Sequence, residues 1–305
     1  MLLCLRTRND RIPEKNNVVI LSNLEITGKM IDILMSTFNG EAFLRPQLDS
    51  ILGQEYRDLR LLIRDDGSTD GTMSIVNEYA EKDPRILIVR DDAGNVKAYR
   101  SFIKLVERSD SQYFMFADQD DVWLPDKITK MMDRMNQIEA ESGTDKPVVV
   151  FSDLRIVDEQ LAVIDESLWH FQQFDPNICR DWRSLLAQNV VLGCAMLANA
   201  KVREISLPCR LPDMYHDQWI AVNAAKYGRI DFIRESTILY RQHAKNHSGA
   251  NRFGPVYALS RIPNFFRSLI SYHESATVFG DVTAVGLMWR KFWLNVKRFN
   301  RRERF

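Results

Sequence analysis

FMFADQDDVWLPDK, residues 114–127, runs from an unbroken apolar stretch straight into four carboxylates, at Asp118, Asp120, Asp121 and Asp126. Like charges so close repel, so the crowding does nothing for a folded chain unless a cation or a proton joins it. The apolar stretch has the length of a buried strand and stops where the polar residues begin. The same shape occurs twice upstream. Ile31-Asp-Ile-Leu-Met35 ends at Ser-Thr-Phe-Asn-Gly, and Leu59-Arg-Leu-Leu-Ile63 ends at Asp65-Asp-Gly-Ser-Thr-Asp-Gly71. Helical patterns follow, at about 42–53, 72–81 and 99–107, and a further strand is read at 85–89. Strand, loop and helix thus alternate through residue 135. This predicts an α/β fold with a mostly parallel, Rossmann-like sheet flanked by helices. In such sheets ligands bind outside the carboxyl ends of the strands. The polar clusters 36–40, 65–71 and 118–121 are therefore expected on one rim.

The second half is less regular. A strand is expected at 147–151, a helix at 217–227 closed by Gly228, and two short strands at 230–233 and 236–240. From residue 251 onward ten Lys and Arg stand against three Asp and Glu. Helices are expected there, with WRKFWLNVKRFNRR (289–302) the most amphipathic piece. Residues 1–30 read as a lead-in of uncertain structure.

Composition excludes several classes. Acidic and basic residues balance at 41 each, so no global field points to nucleic acid. The cysteines, Cys4, Cys179, Cys194 and Cys209, form no CxxC pair, which suits free thiols in a reducing compartment. No apolar stretch approaches the roughly 20 residues of a membrane span, and the amino-terminal residues lack a signal-peptide pattern. A cytoplasmic protein is expected.

The clusters admit competing readings. The acids at 118–121 suit Mg²⁺ or Mn²⁺ with substrate phosphates, or form a solvated acidic loop. RDDGSTDGT (64–72) is a turn, a weak match to a calcium loop lacking its final Glu, or a carboxylate contact to a nucleobase N–H. In MYHDQW (214–219), Asp217 is either a favourable acid at a helix start or a general base, with His216 and Trp219 shaping an acceptor pocket. In YRQHAKNHSG (240–249), Arg241, His243, Lys245 and His247 are either donors to a diphosphate or an exposed basic loop.

The three segments MSTFNGEAFLRPQLDSILGQ, LLIRDDGSTDGT and FADQDDVWLPDK, in this order, resemble the inverting family 2 glycosyltransferases of the A-type (GT-A) fold. The resemblance is dense over 31–135 and thinner through VLGCAML (191–197), MYHDQW and YRQH to about residue 249. DQDDVW and YRQH look most like the rhamnosyltransferase-type branch of bacterial surface-polysaccharide synthesis. It implies a catalytic domain at 31–250, with a nucleotide-sugar-binding half (31–135) and an acceptor-binding half (136–250), and a helical basic extension at 251–305. It implies that Thr37, Asn39, Asp65 and Asp66 hold the nucleotide, and that Asp118 and Asp120 form the DxD. Asp120 and Asp121 would lie at the metal, Mg²⁺ or Mn²⁺. Asp217 would be the catalytic base, Gly193, Cys194, His216 and Trp219 the acceptor pocket, and Arg241 and His243 the diphosphate contacts. AGNVKAYRSF (93–102) matches the family only loosely, which leaves Lys97 and Arg100 without a carried role.

The implied reaction moves a sugar, with rhamnose leading, from a dTDP- or UDP-sugar to a saccharide or lipid-linked acceptor. A membrane-surface contact through 251–305, at the inner face of the plasma membrane, stands beside plain packing of that segment on the catalytic domain or on another subunit. Two rivals remain. A sugar nucleotidyltransferase would use the same acids but not Asp217, and a non-catalytic nucleotide-sugar-binding module would turn nothing over.

Overall fold

The computed structural model describes residues 29–211, 213–244, 246, 249–250, 252–254 and 265–301. Most of the expected lead-in lies outside the described residues, as do Lys245 and His247. The first half alternates as expected: β1 (Ile31–Thr37), α1 (Leu44–Leu52), β2 (Leu59–Asp65), α2 (Thr72–Lys82), β3 (Ile86–Ile88), α3 (Ala98–Arg108) and β4 (Tyr113–Ala117). A two-residue strand β5 (Val122–Trp123) leads into α4 (Lys127–Ser142). Then come β6 (Val148–Val157), β7 (Val163–Asp165), α5 (Leu168–Gln172), α6 (Trp182–Ala187), β8 (Met196–Asn199), α7 (Ala200–Ser206), α8 (His216–Tyr227) and β9 (Arg229–Arg241). Helices α9 (Phe265–Phe279) and α10 (Ala284–Phe299) close the described chain.

The strands form one sheet in the order β3-β2-β1-β4-β8-β6-β9-β5, with β7 beside β6. Pairing is parallel across β3, β2, β1 and β4, and again between β6 and β9, so most of the paired length is parallel. β8 runs antiparallel between β4 and β6 and joins the two halves into one sheet.

Both faces of this sheet are covered, which explains the unbroken apolar runs. Along β4, Tyr113, Met115 and Ala117 enter one core while Phe114 and Phe116 enter the other. β6 divides its valines in the same way. Helices α1, α2 and α4 cover the first face; α3, α6 and α8 cover the second. Tyr272, Phe279 and Leu287, from α9 and α10, are buried in that second core. The basic extension therefore packs on the sheet-bearing part of the chain through one side.

One local expectation is revised. The two short strands at 230–233 and 236–240 are a single strand, β9. Ile233 pairs with Ser152 and Ser236 with Asp153, so Arg234 and Glu235 bulge out of register. Such a bulge interrupts the alternation without ending the strand. Gly228 closes α8, but not by a left-handed turn, since its φ is −145°. A Cβ there would lie 2.1 Å from the Pro147 carbonyl oxygen, so close backbone approach demands the glycine.

At the carboxyl end of β2, Arg64 is 2% exposed. Its guanidinium donates to both Asp91 oxygens at 3.0 Å, to Asp66 at 2.7 Å and to the Gly94 carbonyl at 2.9 Å. This holds the 91–95 loop and α3 against the strand. Pairing with Arg64 keeps the Asp91 carboxyl down at about 2. Arg64→Leu leaves Asp66 without its cation and Asp91 with Lys104 alone, and is expected to cost about 3–5 kcal/mol. Urea unfolding checks this, and a loss below about 1 kcal/mol would contradict the assigned role.

Candidate active site

Three strand ends meet directly. Thr37 Oγ1 donates to Asp65 Oδ1 at 2.9 Å, and the Asp66 N–H donates to the Thr37 carbonyl at 2.8 Å. The Gln119 amide bridges to the backbone of Phe38 in both directions, at 2.9 and 3.0 Å. The rim expected from strand periodicity is thus a hydrogen-bonded unit.

A cavity of about 580 Å³ opens on this rim, and Asp66, Asp118, Asp120, Gly193, Cys194, His216 and Asp217 all line it. A larger cavity of about 950 Å³ lies between β6, β9 and the end of α10, and none of the site residues expected from sequence lines it. Charge chemistry separates the two: the larger intersperses Asp153, Glu166, Asp175 and Glu235 with Lys130, Arg155, Arg234, Lys297 and Arg301, whereas in the smaller Asp66, Asp118, Asp120 and Asp217 stand with Lys97 alone of the lysines and arginines among its lining residues.

The nucleotide-side residues fall into two groups. Asp66 faces the cavity, accepts from the Val96 and Lys97 N–H groups at 2.8 and 2.9 Å, and pairs with Arg64. Thr37, Asn39 and Asp65 lie behind it and organise the loop. Asp65 accepts from Gly67 N, Ser68 N and Ser68 Oγ, and Asn39 Oδ1 accepts from Thr69 N at 2.8 Å. Carboxylates so saturated by N–H groups define a turn and leave little for calcium.

The acids at the end of β4 also divide. Oxygens of Asp118 and Asp121 and the Cys194 sulfur lie within 4.8 Å of one another. Asp120 stands apart from that group, its Oδ2 2.9 Å from His243 Nε2. Burial and the Asp120 and Asp217 charges push the Asp118 carboxyl up to about 7. Burial, then Asp120 and Asp118, raise Asp121 well above the carboxylate range. Asp121 Oδ1 accepts from Arg241 N at 3.1 Å, while Oδ2 has no hydrogen-bond partner among the described residues. Two carboxylates, one oxygen buried without a donor, fit a hard divalent cation such as Mg²⁺ or Mn²⁺. The Cys194 thiol does not fit it, since burial holds its pKa well above the ordinary value and it remains a neutral, soft donor.

Opposite the acids, α8 presents Asp217 in its first turn. The carboxylate accepts from Gln218 N at 2.6 Å and Gly193 N at 3.3 Å. Burial still raises its pKa to about 6. His216 stacks on Phe102 at 4.2 Å and meets the edge of Phe116 at 4.7 Å. Neither of its ring nitrogens has a hydrogen-bond partner among the described residues, and burial pulls its pKa down to about 3. A neutral imidazole therefore forms the wall beside Asp217.

Some expected residues are not brought to the cavity. Trp219 turns into the second core, its indole N–H donating to the Ser206 carbonyl at 2.7 Å and its rings near Phe279. Three residues beyond His216, it lies on the same side of α8 but about 4.5 Å further along the axis, which carries it past the cavity. Arg241 is 4% exposed and donates to the carbonyls of Asp120 at 2.8 Å and Glu159 at 2.5 Å. His243 packs on Phe43 and meets Asp120. Both hold Asp120 in place from behind, and neither lines the cavity.

Sequence reasoning passed over Lys127. It is fully buried, donates to the Cys194 carbonyl at 3.0 Å and stands 4.7 Å over the Trp123 ring. Burial brings its pKa down to about 7 against the pull of Cys194 and Asp121. A signal existed: Lys127 occupies the apolar stripe of α4 with Ile128, Met131 and Met135. Tyr99 and Tyr215, which line the mouth with ring centroids 6.3 Å apart, carry no such signal.

Fold and site point to nucleotide-dependent group transfer, and comparison with known proteins gives the class. The model of the glycosyl transferase family 2 matches residues 32–188, and the chain belongs to that family. A dTDP-rhamnosyl transferase, RfbG of Shigella flexneri, is 28% identical over 225 residues, covering 71% of this chain and 74% of that protein. A putative teichuronic acid biosynthesis glycosyltransferase, TuaG of Bacillus subtilis, is 31% identical over 108 residues, covering 35% of this chain and 42% of its own length. The crystal structure of S. aureus TarS in complex with UDP-GlcNAc superposes with a TM-score of 0.57 at 14% identity, over 89% of this chain and 72% of that one. The mannosyltransferase PcManGT from Pyrobaculum calidifontis, in complex with GDP-Man and Mn²⁺, gives 0.51 at 15% identity, over 89% and 86%. These structures share the GT-A fold with this chain. The chain is thus a glycosyltransferase.

Gly193 offers a sharp test of the site. A Cβ there would lie 2.6 Å from His216 Nε2 and 3.5 Å from Asp217 Cβ. The imidazole, wedged between two phenylalanines, has no room to retreat. Gly193→Ala is expected to shift Asp217 and lower turnover of nucleotide-sugar about 100-fold, with nucleotide affinity unchanged. Equal turnover by the variant would remove Gly193 from the site.

Proposed function

We propose that this enzyme transfers a sugar from a nucleoside diphosphate donor to a hydroxyl of a saccharide or lipid-linked saccharide, with inversion, in surface-polysaccharide synthesis. The observation that carries the reading is the meeting of Asp217 with Asp118 and Asp120 across one cavity. Acids at one wall suit the donor's diphosphate end, and a single base at the other suits an acceptor. A nucleotidyltransferase would have no use for that base, and the family assignment favours glycosyl transfer.

In the proposed reaction Asp217 accepts the proton of the attacking hydroxyl. The new bond forms at the anomeric carbon as the bond to the diphosphate oxygen breaks. One displacement inverts the configuration, and no covalent enzyme intermediate is required. With a pKa of about 6, Asp217 is ionised near neutral pH yet basic enough to take a proton. Asp66 sits toward the nucleotide, and neutral His216 shields the base from water. Asp118 and Asp121 would hold a divalent cation, with Asp120 beside it. Such an ion supplies charge compensation for the departing diphosphate. Arg241 and His243 position Asp120.

The donor is proposed as dTDP- or UDP-linked, with rhamnose the leading sugar on the similarity to the dTDP-rhamnosyl transferase. We place the catalytic domain at 31–250, working in the cytoplasm. No described helix is long and apolar enough to cross a membrane.

Asp217→Asn is expected to lower release of nucleoside diphosphate from dTDP-rhamnose or a UDP-sugar by about 10²–10⁴-fold. Calorimetric binding of dTDP and UDP in Mn²⁺ should be unchanged. Loss of binding with turnover would return Asp217 to a structural role, and full turnover would exclude it as base. The wild-type rate should also fall as pH drops through about 6, because the raised pKa of Asp217 protonates the base there. A rate that stays level down to pH 5 would contradict that assignment.

A further inference from the structure

Helix α10 has two apolar sides. Leu287 is 1% exposed and sits in the second core, and Arg298 donates inward to the Gln172 carbonyl. The opposite side carries Val285, Trp289, Phe292 and Trp293, exposed at 60, 60, 53 and 57%. Their spacing puts them on one stripe along the helix. The rings of Trp289, Phe292 and Trp293 touch one another and nothing covers them among the described residues. Water-exposed aromatics grouped in this way mark a contact surface.

Charge identifies the occupant. Residues 284–305 carry seven Lys and Arg against one Glu, although the whole chain is balanced. The helix itself has no acid; exposed Lys297 lies beside the stripe and exposed Lys291 about 100° round the helix from its other edge, while Arg290 and Arg301 pair with Asp181 and Asp175. Tryptophan and phenylalanine edged by basic residues suit the headgroup level of an anionic bilayer. A second copy of this chain suits the patch less well. Four such side chains expose on the order of 500 Å², below the roughly 800 Å² per partner of a standard interface, and two net-basic segments would face each other.

We propose that the outer stripe of α10 is a docking surface for anionic lipid membrane, with Trp289, Phe292 and Trp293 entering the headgroup layer. The proposal sharpens the sequence expectation for 251–305 to one helix face and does not depend on the chemistry of the cavity.

The full-length protein would be sedimented with vesicles of phosphatidylglycerol and phosphatidylcholine, and with phosphatidylcholine alone. Binding to the anionic vesicles, weakened by high salt, is expected. Trp289→Ala, Phe292→Ala and Trp293→Ala are each expected to weaken it about tenfold. Circular dichroism and dTDP or UDP binding would confirm that each variant is folded. Failure of the wild type to sediment with anionic vesicles would overturn the proposal, as would variants that bind like wild type. A dimer in light scattering that the substitutions dissolve, without vesicle binding, would assign the stripe to self-association and also overturn it. Nucleotide turnover is read separately, so either reading can fail while the other stands.

Discussion

The structure depends on holding carboxylates together that repel one another. Asp118, Asp120 and Asp121 leave β4 within four residues, and Asp217 faces them from α8. Burial makes each charge more costly, and the raised pKa values of Asp118, Asp121 and Asp217 record it. No contact among these groups stabilises the fold. The surrounding scaffold must supply the free energy, and it does so through two packed cores and a continuous sheet. Activity and stability are opposed here in a way common to enzyme sites.

The scaffold meets the strain with backbone and buried cations. The Asp121 carboxylate accepts from the backbone of Arg241, and the Arg241 guanidinium holds the carbonyl of Asp120. Lys127 stands under the cluster from α4, and Arg64 supports Asp66 from β2. These cations face away from the cavity. They fix where the acids stand and leave the open side for a ligand.

Much of this was legible in the sequence. Strand periodicity located the parallel half and its rim, because strands buried on both faces read as uninterrupted apolar runs ending at polar loops. Asp66, Asp118, Asp120 and Asp217 could be given roles only through the resemblance to family 2, because a turn, a solvated acidic loop or a favourable acid at a helix start would use the same carboxylates. The reading weakened where a residue's role depends on which way its side chain turns. Trp219 and His216 share a motif and one side of α8, yet most of a turn of rise carries Trp219 out of the cavity and into the second core. Arg241 and His243 read as diphosphate contacts from charge and from the resemblance, and only the fold shows that both also meet Asp120. The bulge at Arg234 and Glu235 hid the length of β9, and the short strand β8 left no alternation to detect.

The length of β9 governs when the site can exist. The β1–β4 framework involves residues up to 117, and its contacts are mostly between neighbouring segments. The acids at its edge are fixed only when Arg241 pairs with Asp121, across 120 residues of chain. During synthesis on the ribosome, then, the parallel core can form well before the acidic cluster is assembled. The electrostatic cost of the cluster comes late, after most of the sheet and much of both cores are in place to bear it.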